Sequence, residues 1–190
     1  DGSQPPLEAP DQCVLRHSEG RGYGAAQKTG YRAALQAGAT RIVLLHGDGQ
    51  YPTGPVVAMA QALEFHPVVL GSRFLEDGGR AIPGWRRWGN RTLTSMANLR
   101  FGSRNTDLHT GARAFRSEVL QQLPIEEMSD DFLFDQQVLT TLLASGIQVG
   151  EQSISARYDN TVQSISPSSS IRYGLGCLVA IASPLRLDIS

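Results

Sequence analysis

Apolar residues along this chain recur with two periods, and the switches between those periods outline its elements. Residues 12–16 form a short strand candidate, and residues 17–24 a glycine-rich turn. Residues 25–37 read as a helix that stops at Gly38, where a left-handed residue closes the last turn. Residues 41–45 are a near-continuous apolar strand, the mark of a parallel sheet buried on both faces. Pro55 suits a first helical position, and Val56, Met59, Ala60 and Leu63 follow it at helical spacing. Residues 67–71 form another short apolar strand. The order strand, helix, strand, helix, strand predicts right-handed crossovers and a doubly wound α/β sheet.

Downstream, residues 74–84 are polar and contain glycine, so they read as a loop. A helix is predicted over 85–99 and a strand over 111–115. Ser117 is expected to cap a short helix over 118–123, which Pro124 follows. Phe134, Val138, Leu139, Leu142 and Leu143 form a helical stripe ending at Gly146. Residues 147–154 look like a late strand. Residues 164–170 are a serine-rich linker, and residues 171–182 a last apolar helix. The expected organisation is one domain over 1–166 and a tail over 167–190, with no internal repeats.

Composition narrows the classes. A chain of 190 residues can bury one α/β core. Its net charge of -1 gives no reason to expect nucleic acid. Cys13 and Cys177 lie far apart, which argues against a disulfide scaffold or a zinc site and for a reducing compartment. Near the end, residues 175–185 are apolar, but the run is too short to span a bilayer and is broken by Gly176 and Pro184.

The densest chemistry follows the strand at 41–45. Asp48 ends it between two glycines, and Gln50 comes two residues later. In an extended segment the two side chains share a side. A hard carboxylate and a neutral carbonyl oxygen suit Mg2+ or Mn2+ bridging a diphosphate. A strand followed by a solvated turn is the plainer reading. The turn at 20–24, including Gly22, could offer backbone N–H groups and a helix N-terminus to phosphate, and close packing explains it equally well. Gly71-Ser72-Arg73 ends a strand on the same expected sheet edge as Asp48. Arg87 and Arg91 stand one helical turn apart, so they can share a face for a phosphate or simply solvate a basic helix. Asp107 and His109 could form a hydrogen-bonded pair. Asp130, Asp131 and Asp135 precede or enter an apolar helix, where a favourable interaction with the helix dipole is the plain reading for at least one of them. Neighbouring aromatics suggest a partly buried site, in which one of these acids could serve as a base.

The segments stand in the order DGS, GRGYGAAQKTGYRAALQAG, DGQYP, GSRF, GNRTLT, DLHTGARAFR and DDFLFD, followed by Glu151 and Tyr158. From Asp1 to about Ser166 this order resembles family 2 glycosyltransferases of the GT-A fold, in the branch of dolichyl-phosphate mannose and glucose synthases. The resemblance implies a Rossmann-like, mostly parallel sheet flanked by helices, a nucleotide-diphosphate sugar donor, a divalent cation and an inverting transfer. It implies that Asp1 and Gly22 lie near the nucleotide, and that Asp48 and Gln50 hold the metal and diphosphate. Ser72, Arg73, Arg87 and Arg91 would meet the acceptor, a polyprenyl phosphate. Arg113, Asp130 and Asp131 would line the sugar and acceptor site. Two departures stand out. His46 occupies the place of the family's first metal-motif acid, and the family's opening strand, first helix and most of its second strand would precede DGS. The chain therefore reads as N-terminally truncated.

The expected chemistry follows. A phosphate acceptor is already ionised, so arginines need only position it. A sugar hydroxyl would need a base, Asp131 before Asp130. With the apolar tail and basic residues, this places the protein in the cytoplasm, at the cytoplasmic face of a membrane. The rivals are an inactive nucleotide-sugar-binding module, favoured by His46, a transferase acting on a saccharide hydroxyl, and last a nucleotidyltransferase.

Overall fold

The structure, a computed structural model, describes residues 15–47, 51–75, 79–80, 82–155 and 167–187. Asp1, Asp48, Gln50, Tyr158 and most of the strand candidate at 12–16 lie outside the described residues. The elements are α1 (Tyr23–Gln36), β1 (Arg41–Leu44), α2 (Pro55–Ala62), β2 (Val68–Ser72), α3 (Gly84–Phe101), β3 (Arg113–Arg116), α4 (Ser117–Gln121), α5 (Phe134–Ala144), β4 (Val149–Ser153) and α6 (Pro167–Ala182), with a short 3-10 turn at Ile125–Glu127. Ser117 is the first residue of α4 and not its cap, which is Arg116. The serine-rich stretch expected as linker partly belongs to α6, which starts at Pro167, a residue with its φ already set for a first helical position.

The four described strands lie in the order β1-β3-β2-β4. β2 and β4 are parallel, and β3 runs antiparallel to both β1 and β2. Three strands therefore share a direction, as expected, but two of the three pairings are antiparallel. Chain return is the physical reason. β3 is entered from the loop that precedes it, and that loop is pinned at the carboxyl end of β2 by a bond between Asp107 and Arg73. A strand starting from that edge must run the opposite way.

Side chains alternate across the sheet. Val68 and Phe115 face a core shared with Tyr31, Val138 and Leu142 of α1 and α5. Val69 and Ala114 face Met59 and Leu63 at α2. Leu70 meets Ala97, Leu139 and Ile181 from α3, α5 and α6. Helices thus cover both faces. β2, not β1, is the strand buried throughout. Gly71 is required for packing: a Cβ there would stand 2.8 Å from Ala112 Cβ and 2.9 Å from Ile154 Cγ2. The tail is not loose, since Cys177, Ala180 and Ile181 of α6 are buried.

Candidate functional site

Leu44 of β1 and Leu70 of β2 both pair with Arg113, the first residue of β3. β1 and β2 therefore end on one edge, and β3 begins there. Ligands of open α/β sheets bind outside the carboxyl ends of the strands. His46 and Gly47 continue from β1 into this edge, and Ser72 and Arg73 close β2 on it.

Arg113 and Asp135 form the centre of the edge. The Arg113 guanidinium Nη1 lies 2.5 Å from Asp135 Oδ1, with both side chains nearly out of water. Arg113 Nε also donates to the Thr110 carbonyl at 3.1 Å. Asp135 accepts from Gln27 Nε2 at 2.7 Å and from the Tyr23 hydroxyl at 2.8 Å. Tyr31 donates to Gln27 Oε1 at 3.0 Å. The Tyr23 oxygen also bonds His46 Nε2. Because that hydroxyl donates to Asp135, His46 must donate in turn, which fixes its Nε2–H tautomer. Tyr23, Gln27 and Tyr31 recur every four residues, so α1 presents them as one polar row. Burial, then the Asp135 charge, pushes both tyrosine hydroxyls well above their ordinary range. Burial, the largest single influence, disfavours the Arg113 charge, but Asp135 together with Tyr23, Tyr31 and Tyr173 outweighs it and raises the arginine's pKa.

The glycine-rich turn packs closely on protein. Gly22 has φ +102, and a Cβ at Gly24 would lie 2.5 Å from the Ser129 carbonyl oxygen. The Gly24 and Ala25 N–H groups both donate to the Asp130 carbonyl, at 2.6 and 3.2 Å. These two donors of the α1 N-terminus are therefore satisfied by protein, in keeping with the close-packing alternative for this turn. The same contact places Gly22 against Asp130 and Asp131.

The three acids take three roles. Asp130 is exposed and accepts from Lys28 Nζ at 2.8 Å, and that bond holds its carboxyl below the usual range. Lys28 also donates to the Met128 carbonyl at 2.6 Å. A carboxylate held this way is a weak base, so the lysine argues against Asp130 in that part. Asp131 is exposed beside the Gly22 turn, its N–H donating to Ser129 Oγ at 3.0 Å. Phe132 stacks on Tyr23 with ring centres 4.8 Å apart. Asp135, which the sequence offered only as one acid of three, carries the buried ion pair.

Ser72 and Arg73 reach the expected edge but face inward. Ser72 is fully buried, with its hydroxyl 2.6 Å from Thr106 Oγ1. Arg73 Nε and Nη2 donate to the two Asp107 oxygens at 2.7 and 2.9 Å, and Nη2 reaches the His109 carbonyl at 2.8 Å. In this geometry they shape the edge, and the strongest donors of Arg73 already have partners. Glu151 clamps the same loop, accepting from the Thr106 and Asp107 N–H groups. Burial raises the Glu151 pKa against those hydrogen bonds. Asp107 and His109 pair through backbone, the His109 N–H donating to Asp107 Oδ1 at 3.2 Å.

Arg91 lies on α3 with its guanidinium 5.4 Å from the Phe74 ring centre, which hangs the helix beside the end of β2. Arg87 is half-buried one turn earlier. Among the described residues, no three His, Cys, Asp or Glu side chains gather to hold a metal ion. Asp135 is already held by three donors, and His46 bonds Tyr23. A hard cation at this edge would rely on Asp48 and Gln50, two and four residues beyond His46, whose oxygen donors fit Mg2+ or Mn2+. The sequence reading missed Tyr23, Gln27 and Asp135 as a unit. The four-residue polar spacing on α1 was the available signal.

His109 gives this region a pH response. Its Nδ1 lies 3.1 Å from the Tyr173 hydroxyl, and its buried Nε2 has no partner among the described residues. Burial, aided by Arg73 and Arg113, pushes its pKa down to about 4. The unfolded chain takes up this proton near pH 6.5, and the folded chain does not. Stability is therefore full above about pH 6.5 and falls as pH drops toward 4, by roughly 3 kcal/mol for a shift of this size. Melting curves between pH 7 and 4 should show this slope, and His109→Gln should flatten it. An equal slope in the variant would assign the effect to other groups.

The chain is similar to several curated proteins. It is 27% identical over 168 residues to an uncharacterized protein of Methanocaldococcus jannaschii, covering 87% of this chain and 68% of that one. It is 25% identical over 148 residues to the UDP-N-acetylglucosamine--dolichyl-phosphate N-acetylglucosaminyltransferase of Methanococcus voltae, covering 76% and 59%. It is 26% identical over 121 residues to the undecaprenyl-phosphate mannosyltransferase of Micrococcus luteus, covering 63% and 49%. The chain thus spans about half to two thirds of the length of these relatives. The family description "Glycosyl transferase family 2" matches residues 3–123, a stretch that contains the sheet edge from His46 through Arg73 to Arg113. With an α/β sheet of the matching kind and a polar cluster where its strands end, the chain belongs to glycosyl transferase family 2.

Proposed function

We propose that this protein moves a sugar from a nucleotide-diphosphate sugar to a polyprenyl phosphate, with inversion at the anomeric carbon, at the cytoplasmic face of a membrane. The observation that carries the reading is the state of the acids at the sheet edge. Asp135 is saturated by Arg113, Gln27 and Tyr23, and Asp130 is held low by Lys28. Neither is poised to take a proton, which leaves the exposed Asp131 as the one of the three that could. An ionised phosphate nucleophile needs none, and the relatives' names place their own acceptors in that class.

In this reading the acceptor oxygen attacks the anomeric carbon opposite the diphosphate. The bond to the diphosphate oxygen breaks and the nucleoside diphosphate leaves. Arg91 and Arg87 hold the acceptor phosphate at the end of β2. Arg113, kept charged by Asp135, fixes the floor of the site. Asp131, open beside the Gly22 turn, faces the sugar. Asp48 and Gln50 would hold Mg2+ or Mn2+, which when bound neutralises charge on the departing diphosphate.

The test is a donor screen with Mg2+ or Mn2+, using UDP-N-acetylglucosamine and a nucleoside-diphosphate mannose, with and without polyprenyl phosphate. Glycolipid and nucleoside diphosphate should appear together and only with the lipid. Asp48→Ala should lower turnover by about two orders of magnitude or more, since Lewis-acid assistance is worth several kcal/mol. Release with a saccharide acceptor alone would replace the acceptor assignment with one using Asp131 as base. Donor binding with no release under any condition would leave a nucleotide-sugar-binding module.

A further inference from the structure

β1 and β3 are antiparallel, with Leu44 opposite Arg113. Two residues past Leu44 and two before Arg113, the same register sets His46 opposite Gly111, on one face. The His46 ring lies over that glycine. A Cβ on Gly111 would stand 2.5 Å from His46 Cε1 and 2.6 Å from both ring nitrogens. The ring therefore fills the place that a side chain at 111 would take. An aromatic ring laid across a cross-strand glycine restores the packing the glycine lacks. Two tyrosines close the sides. The Tyr23 and Tyr51 rings meet His46 edge-on, with centres 5.2 and 6.0 Å away. Tyr51 is tied to the same glycine, accepting from the Gly111 N–H at 2.9 Å.

The hydrogen bonds demand a donor at position 46. The Tyr23 hydroxyl has one proton and gives it to Asp135 at 2.8 Å. Its oxygen can then only accept, and His46 Nε2–H supplies that bond. An aspartate at 46 would set a second acceptor against the same oxygen, close to the buried Asp135 carboxylate. Its side chain would also be too short to cover Gly111. The slot thus suits an imidazole and rejects the acid that the sequence resemblance led one to expect there.

We propose that His46 is a positioning residue: seated on Gly111 and bonded to Tyr23, it fixes the end of β1 from which the chain runs on to Asp48, so that no second acid is needed at 46. The part played by Asp48 rests on the transfer reading above, whereas the seating of His46 is tested without activity. On this view His46 is not the mark of an inactive module.

The full chain, labelled with heavy nitrogen at histidine, is studied at about pH 8, where an ordinary imidazole is neutral. Long-range proton–nitrogen spectra should show His46 held as the Nε2–H tautomer, its signals identified by their loss in His46→Gln. Tyr23→Phe and Gly111→Ala should each move those signals toward a mixture of tautomers, with circular dichroism showing a folded chain. His46→Asp should lower Tm by about 5 °C, and His46→Gln, which keeps a donor at similar reach, by about half as much. In sugar transfer, His46→Asp should cut kcat about tenfold or more with the acceptor KM within about twofold, and His46→Gln should recover most of the rate. A parent ring already mixed between tautomers would overturn the proposal. So would a His46→Asp chain that is as stable as the parent, or one that transfers sugar faster. A parent that transfers no sugar, while spectra and melts behave as expected, would sink the transfer reading and uphold the seat of His46.

Discussion

Asp135→Ala should lose about 3–5 kcal/mol of stability, because it leaves the Arg113 guanidinium charged, buried and unpaired. In a domain of this size that is a fall of roughly 10 °C in Tm. The loss extends past one ion pair, since Gln27 and Tyr23 lose their shared acceptor and α1 loses its polar tie to α5. A denaturant titration and a thermal melt check it. The double change Arg113→Met with Asp135→Leu separates charge from packing. Removing both charges should recover the part owed to the unpaired guanidinium, while the Gln27 and Tyr23 donors stay without their acceptor. Sugar transfer should not return, because the fixed cation at the sheet edge is gone. A single variant as stable as the parent would show that water reaches the pair freely and would remove its role as the floor of the site.

Asp107→Ala should be comparably damaging but should respond differently to rescue. Asp107 is fully buried and accepts from Arg73 Nε and Nη2, from the Arg73 N–H and from the His109 N–H. The expected loss is again about 3–5 kcal/mol. Here Arg73→Met with Asp107→Leu should rescue only part of it, since the two backbone N–H groups stay without their acceptor. Amide exchange should quicken over residues 105–111, the loop that sets where β3 begins. Full rescue by the double change would mean the backbone bonds contribute little. By contrast, the exposed Arg32–Glu126 pair, though its atoms approach to 2.6 Å, should be worth under about 1 kcal/mol.

The two pairs explain how one edge serves both stability and function. Arg113–Asp135 and Arg73–Asp107 stand at the ends of neighbouring strands, and the loop between Asp107 and Arg113 joins them. His109 lies in that loop and bonds Tyr173 of α6. α6 therefore touches the loop that carries the site.

Much of the molecule was legible in sequence because helices and strands are largely local. The stripe of Phe134, Val138 and Leu142 gives α5, Pro55 marks the start of α2, and the apolar run over 67–71 gives β2, each within a residue or two. The order of motifs also gave the family, since chemistry on strand ends must recur in chain order. Partner choice was not legible. The Tyr23–Asp135 bond joins residues 112 apart, and the sequence ranked Asp135 no higher than its neighbours. The resemblance put Arg73 with the acceptor, but only the fold shows its guanidinium held by Asp107. The turn at Gly22 and Gly24 suited phosphate or close packing equally in sequence, and the Asp130 carbonyl lies on its helix N-terminus. The antiparallel placement of β3 likewise depends on where the preceding loop is pinned. Periodicity and propensity act over a few residues, so the chain alone settled its elements. Burial and pairing arise only when distant segments compete for the same space and the same donors, so the folded packing decided which charges are structural and which remain open to a ligand.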